Sequence, residues 1–216
     1  MRDVVSILSA VRKQTVVFQS PSVTEVALTR QDPYLVLISC ILSLRTKDKT
    51  TAQASTRLFS SASNPSQMLL LSASRIQRLI YPVGFYRTKA RTIREVSLRI
   101  IRDFKGRVPD TQEGLLSLKG VGLKTASLVL GLGYHIPAIC VDTHVHRISH
   151  RLGWVQTESP EETQKSLQRI IPRTWWICLN TLLVRFGQNV CLPVSPFCSL
   201  CTIHRYCKKR GVSISR

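Results

Sequence analysis

Cys191, Cys198, Cys201 and Cys207 crowd into one short segment with the spacing C-x6-C-x2-C-x5-C. Four thiolates from a single loop can hold either a tetrahedral zinc ion or a cubane [4Fe–4S] cluster. Ligand count alone does not separate the two, and no histidine falls at zinc-finger spacing. A second constellation is the stretch 115–133, LLSLKGVGLKTASLVLGLG. A short helix there runs into Gly120-Val121-Gly122, and a second apolar helix begins near Leu123. Two glycines around one apolar residue permit a tight turn with exposed backbone N–H groups. Together with the positive end of the following helix they make an anion site suited to a phosphate. The plainer reading is a helix–helix corner with Val121 tucked into the core. Lys124 stands in the first turn of that second helix, where the dipole disfavours a positive charge. Burial and the dipole together would favour the neutral amine, the form that acts as a nucleophile. Otherwise Lys124 is one solvated lysine among 31 basic residues. The third group is Cys140-Val141-Asp142-Thr143-His144. Asp142 precedes a helix and reads as its N-cap. The same carboxylate can stabilise a developing cation or accept a proton from an attacking amine, so the two roles are compatible.

These groups must be carried by helices. Asp32-Pro33, Asn64-Pro65 and Ser159-Pro160 each pair a capping side chain with proline at the first helical position. They predict helices over 34–44, 68–71 and 161–171. Val4, Ile7, Leu8 and Val11 form one face of an N-terminal helix. A longer helix is predicted over 88–104, ended by Gly106. Asp110 with Glu113 gives a capping-box pattern ahead of 115–118, and a helix over 175–186 is predicted to stop at Gly187. No run alternates well enough for a strand. The expected fold is all-α, with about ten short helices by this count.

Charge narrows the function. With 31 Lys+Arg against 12 Asp+Glu the chain of 216 residues carries +19, a field that favours a polyanion, nucleic acid being the commonest. A ribosome-like structural protein or an anionic membrane surface are the other readings. The longest apolar stretch, 35–44, is too short to span a bilayer, and no signal-peptide core is visible. A soluble intracellular protein is expected, DNA-associated, without a membrane partner. Cys40, Cys140 and Cys178 lie in apolar surroundings and read as small buried residues.

LKGVGLKTA followed by VDTHVHR resembles the helix–hairpin–helix and Gly/Pro-Asp region of the endonuclease III family. The order of segments is similar over almost the whole chain. The resemblance implies a two-lobed helix–hairpin–helix DNA glycosylase architecture with a C-terminal iron–sulfur cluster loop. One lobe would be a contiguous six-helix domain of residues 26–136. The other would join 1–25 to 137–216 around the cluster, with a DNA cleft between the lobes. It implies Lys124 as Schiff-base nucleophile, Asp142 as assisting carboxylate, and Cys191, Cys198, Cys201 and Cys207 as ligands of a [4Fe–4S] cluster that orders the loop. Lys119, Gly120, Val121 and Gly122 become a DNA-phosphate site, with Lys119 replacing the proline of the family's LPGVG. Arg45 falls where the family usually has an inserted glutamine, and Phe85 where an apolar wedge is expected; their plainer readings are a phosphate contact and a core aromatic. Between the first two cysteines the chain reads LPVSPF, which lacks the basic residues frequent there, and Lys208, Lys209 and Arg210 are candidate substitutes. The implied activity is base-excision repair of double-stranded DNA, with removal of a damaged base, an oxidised pyrimidine by expectation, and β-elimination at the abasic site. A monomer is expected. The alternatives are a monofunctional mismatch glycosylase, against which Lys124 argues, and a non-enzymatic helix–hairpin–helix DNA-binding protein, which leaves Asp142 and the cysteine loop unexplained.

Overall fold

The structure is a computed structural model describing residues 2–216, with side chains from residue 3 onward. Twelve α-helices and three shorter helical turns are present among the described residues, and no strand. The chain divides into two compact units. One is contiguous, Ser22–Ile136; the other joins the N-terminal segment up to Pro21 with Pro137–Arg216.

The contiguous unit is built around α3 (Pro33–Ser43). This helix is apolar on every side, and Val36, Leu37, Ile38 and Leu42 are fully buried. An all-round apolar helix needs neighbours on all faces. It has them in α2 (Ser22–Arg30), α4 (Asp48–Phe59), α7 (Tyr86–Phe104) and α9 (Leu123–Leu128). Asp32 caps α3 by accepting N–H bonds from Tyr34 at 2.7 Å and Leu35 at 3.3 Å. Inside the core Tyr34 Oη and Ser97 Oγ are 2.7 Å apart and hydrogen-bonded. The short helices α5 (Pro65–Leu70) and α6 (Ala73–Ile80) pack on α7, and α8 (Gln112–Leu116) packs on α9. This unit thus holds eight α-helices rather than six, three of them, α5, α8 and α9, only five or six residues long. After α9 the helix widens into a π-helical turn, Val129–Gly133, which the sequence reading lacked.

In the other unit α1 (Arg2–Thr15) packs on α12 (Trp176–Asn189) beside α10 (Thr143–Leu152) and α11 (Pro160–Ile170). Leu8, Val11, Val145, Ile148, Leu167, Leu179, Leu183 and Phe186 form its core. At about 25 cal/mol per Å² such burial dominates the stability of either unit.

Three local expectations are corrected. The N-cap of α8 is Thr111, whose Oγ1 accepts the Gly114 N–H at 3.2 Å; Asp110 lies one residue too early for that bond. Gly187 does not stop α12, which continues to Asn189. An ideal Cβ on Gly187 would stand 2.4 Å from His144 Nδ1 and 2.9 Å from Arg147 Nη2. The glycine is there to let α10 approach. Cys178 is only partly buried and accepts an N–H bond from Arg12 at 3.6 Å, whereas Cys40 and Cys140 are buried as expected.

Candidate functional site

The hairpin lies wholly in the contiguous unit. α8 ends at Leu116, the chain turns through Leu118 to Gly122, and α9 starts at Leu123. Gly120 has φ +75°, a left-handed conformation that an L side chain rarely adopts. Leu118 and Val121 are buried, and the Val121 N–H donates to Leu118 O at 3.1 Å. Val121 therefore anchors the turn from the inside, as the plainer reading held, and offers no side chain outward. Gly122 caps α9 with no side chain in the cap, and nothing lies within 4 Å of its ideal Cβ. That leaves room for an anion to approach the backbone. Lys119 does not point its charge at this turn: its Nζ pairs with Glu95 Oε2 at 2.8 Å. Both partners are exposed, so the pair contributes little to stability.

Lys124 is exposed in the first turn of α9. The free chain thus lacks the burial that the sequence reading invoked, and water exclusion at this amine would come from a bound partner. Its charge is felt by the buried Cys40 of α3: burial pushes that thiol up to about 12, and Lys124 partly opposes the rise. Asp142, in the other unit, caps α10. Its Oδ1 accepts N–H bonds from His144 and Val145, each at 2.9 Å.

Arg45 and Phe85 are brought together. Both are exposed, Phe85 by 61%, which removes the core-aromatic reading. The Arg45 guanidinium lies over the Phe85 ring, 5.2 Å from its centroid, within cation–π range.

The four cysteines line one cavity, with Ile148, Leu152, Phe186 and Ile203 as apolar wall. Burial pushes the Cys201 thiol up to about 11, with the three other cysteines adding to it, and Cys207 is raised by burial with Cys191 and Cys198 adding to it. Two arginines of α10, absent from the sequence reading, brace this loop. Arg151 is 6% exposed and donates to Cys191 Sγ at 3.3 Å, Leu192 O at 2.6 Å and Pro193 O at 2.7 Å. Arg147 Nη2 donates to Cys191 O at 2.9 Å and Gly187 O at 3.2 Å. The only advance signal was HVHRISHR itself, two basic residues one helical turn apart. Lys208, Lys209 and Arg210 are all exposed just past the last cysteine. Among the described residues no three His, Cys, Asp or Glu side chains converge tightly enough to chelate a single metal ion.

Residues 38–173 match the model of the HhH-GPD superfamily base excision DNA repair protein family. Endonuclease III of Thermotoga maritima is 45% identical over 183 residues, covering 83% of this chain and 86% of that protein. Endonuclease III-like protein 1 of Mus musculus is 42% identical over 81% of this chain, which spans 59% of the mouse protein. Among solved structures, a trapped endonuclease III–DNA covalent intermediate superposes with a TM-score of 0.85 at 30% identity, covering 96% of this chain and 95% of that one. Taken with the hairpin and the lysine that follows it, these likenesses place the chain in the endonuclease III family of helix–hairpin–helix DNA glycosylases.

Proposed function

We propose that this chain is a base-excision repair enzyme, a bifunctional DNA glycosylase and abasic-site lyase, with Lys124 as its nucleophile and Asp142 as the assisting carboxylate. The observation that carries this reading is an exposed lysine in the first turn after the hairpin, in a chain similar to one trapped covalently on DNA. The hairpin backbone at Gly120 and Gly122 holds a phosphate and sets the register of double-stranded DNA. A base inside the helix cannot be reached, so the damaged nucleotide is extruded and the gap is filled. Arg45 and Phe85 fill it, one by stacking and hydrogen bonding with the orphaned base, the other as an apolar wedge. The neutral Lys124 amine then attacks C1′. The bond from C1′ to the base breaks, and the base leaves with the electron pair and the proton lost from nitrogen. Opening of the sugar yields an imine between C1′ and Nζ. Loss of the C2′ proton pushes electrons toward C3′ and expels the 3′ phosphate, and water finally frees the amine. The substrate class is an oxidised pyrimidine, and the enzyme acts as a monomer.

The cysteine loop fits a [4Fe–4S] cluster: Cys191, Cys198, Cys201 and Cys207 come from one short segment and line one cavity, a four-thiolate set that can hold a cubane. Bound there through Cys191, Cys198, Cys201 and Cys207, the cluster would act as a structural cross-link of residues 191–207. Arg151 would keep its N–H bond to the Cys191 sulfur.

The test is borohydride reduction on abasic-site DNA. The wild-type chain should yield a covalent adduct and Lys124→Ala none, with DNA binding nearly unchanged, because one charge of 31 contributes little to the field. An unchanged adduct yield in Lys124→Ala would assign the chemistry to another amine.

A further inference from the structure

Arg45 and Phe85 sit in different loops, yet both take left-handed backbone conformations, with φ +52° and +57°. Neither is a glycine. Such conformations persist only where the surroundings over-determine them. The surroundings here converge on one side chain, Lys89 of α7, which is 7% exposed. Its Nζ donates to Leu42 O at 2.7 Å, Leu44 O at 2.5 Å and Thr46 Oγ1 at 3.1 Å. An ammonium has three protons, and all three are used. Leu42 belongs to the last turn of α3, where unsatisfied carbonyls and the dipole attract a cation. Leu44 and Thr46 flank Arg45 on either side.

The link then crosses to the second loop. Thr46 Oγ1 accepts the Gly84 N–H at 3.1 Å, one residue before Phe85. An ideal Cβ on Gly84 would lie 2.5 Å from Arg45 O, so the two loops touch backbone to backbone. Lys89 thus reaches the neighbours of Arg45 directly and the neighbour of Phe85 through one hydroxyl.

We propose that Lys89 is a positioning residue that makes Arg45 and Phe85 a single two-part probe, and so sets discrimination of the base opposite the extruded nucleotide without touching DNA. The proposal rests on the reading of Arg45 and Phe85 as the inserted residues. Without the ammonium, three acceptors lose their donor, and the Gly84 N–H bond to Thr46 and the backbone contact at Arg45 are left to hold the spacing of the guanidinium and the ring without the anchor on α7. Each side chain would then insert independently, and contacts to the opposite base would average over several poses.

The experiment uses the full chain on abasic-site duplexes that differ only in the opposing base. Strand-cleavage kcat/KM is normalised to the borohydride-trappable fraction, so that loss of folded enzyme cancels. In parallel, 2-aminopurine opposite a stable tetrahydrofuran site reports stacking of the inserted residues by its fluorescence. Lys89→Met and Thr46→Val should each shrink the ratio between best and worst opposing base at least threefold, toward the value of Arg45→Ala, and change the 2-aminopurine signal in the same direction. Thr46→Val carries the test if Lys89→Met folds poorly. Wild-type ratios and fluorescence in both variants, alongside altered ones in Arg45→Ala and Phe85→Ala, would overturn the proposal and leave Lys89 a purely structural residue. Unchanged readouts in Arg45→Ala and Phe85→Ala would instead sink the insertion reading, and the Lys89 proposal with it.

Discussion

The hairpin unit and the cysteine loop solve the problem of placing reactive groups in opposite ways. Around α3 the core is complete without any chemistry-bearing residue. Leu118 and Val121 point inward, while Lys124, Arg45 and Phe85 project from turns that buried residues already hold. In the cysteine loop the reactive groups themselves form part of the cavity wall beside Ile148, Leu152, Phe186 and Ile203, and arginine bonds to backbone carbonyls brace it from outside. Removing a functional side chain should therefore cost chemistry in the first region and structure in the second.

The largest effect that would break this contrast concerns the thiols. Cys198→Ser with Cys201→Ser should remove the brown colour and the iron, about four atoms per chain when the cluster is present. The loss of stability should reach several kcal/mol. Hydrogen exchange should then lose protection across 190–216 while α3 and α7 stay protected. A colourless, fully active wild-type preparation holding one zinc ion would refute the cluster assignment. Next comes Asp142→Asn, which keeps a side-chain oxygen for the two N–H bonds of the cap but removes the charge. Base release should fall by about 10²–10³, with thermal stability nearly intact, and cleavage of a pre-formed abasic site should suffer less. Equal losses in both steps would deny Asp142 a role in departure of the base. Gly187→Ala should cost about 1–3 kcal/mol in urea unfolding through the clash with His144, with the rate per trapped molecule unchanged.

A further test uses pH. Burial pushes the Lys89 ammonium down to about 8, below the ordinary lysine value of about 10.4. Across that window the unfolded chain binds more protons than the folded one, so this residue makes stability rise with pH. Subtracting the Lys89→Met profile from the wild-type profile between pH 7 and 10 should isolate it; a difference that falls with pH would have the wrong sign.

Where the sequence was legible, the rule involved was local. Asp32, Asn64, Asp142 and Ser159 cap the helices that follow them because a cap depends on three or four consecutive residues. What escaped depended on distant partners. Gly187 reads as a helix stop until His144 is seen occupying the space of its absent side chain. The inward face of α4 adds Thr51 and Ser55 to Ala54, Leu58 and Phe59, so apolar periodicity announces only its second half. Lys89 reads as one more basic residue until α3 and its following loop supply three oxygens. Arg151 reads as surface charge until residues 191–193 fold over it.

The pairing of α1 with α12 bears on the order in which the molecule can be made. Arg12 stacks over Trp175 at 4.2 Å from the ring centroid, and Gln14 bonds Leu200 and Thr202. During synthesis the first helix therefore leaves the ribosome with Leu8 and Val11 uncovered, and its partners emerge some 160 residues later. The contiguous unit, complete at Ile136, has all its contacts available before then. A newborn chain that has emerged from the ribosome up to about residue 140 would present a finished hairpin together with an orphaned apolar helix, a target for chaperones until α12 arrives.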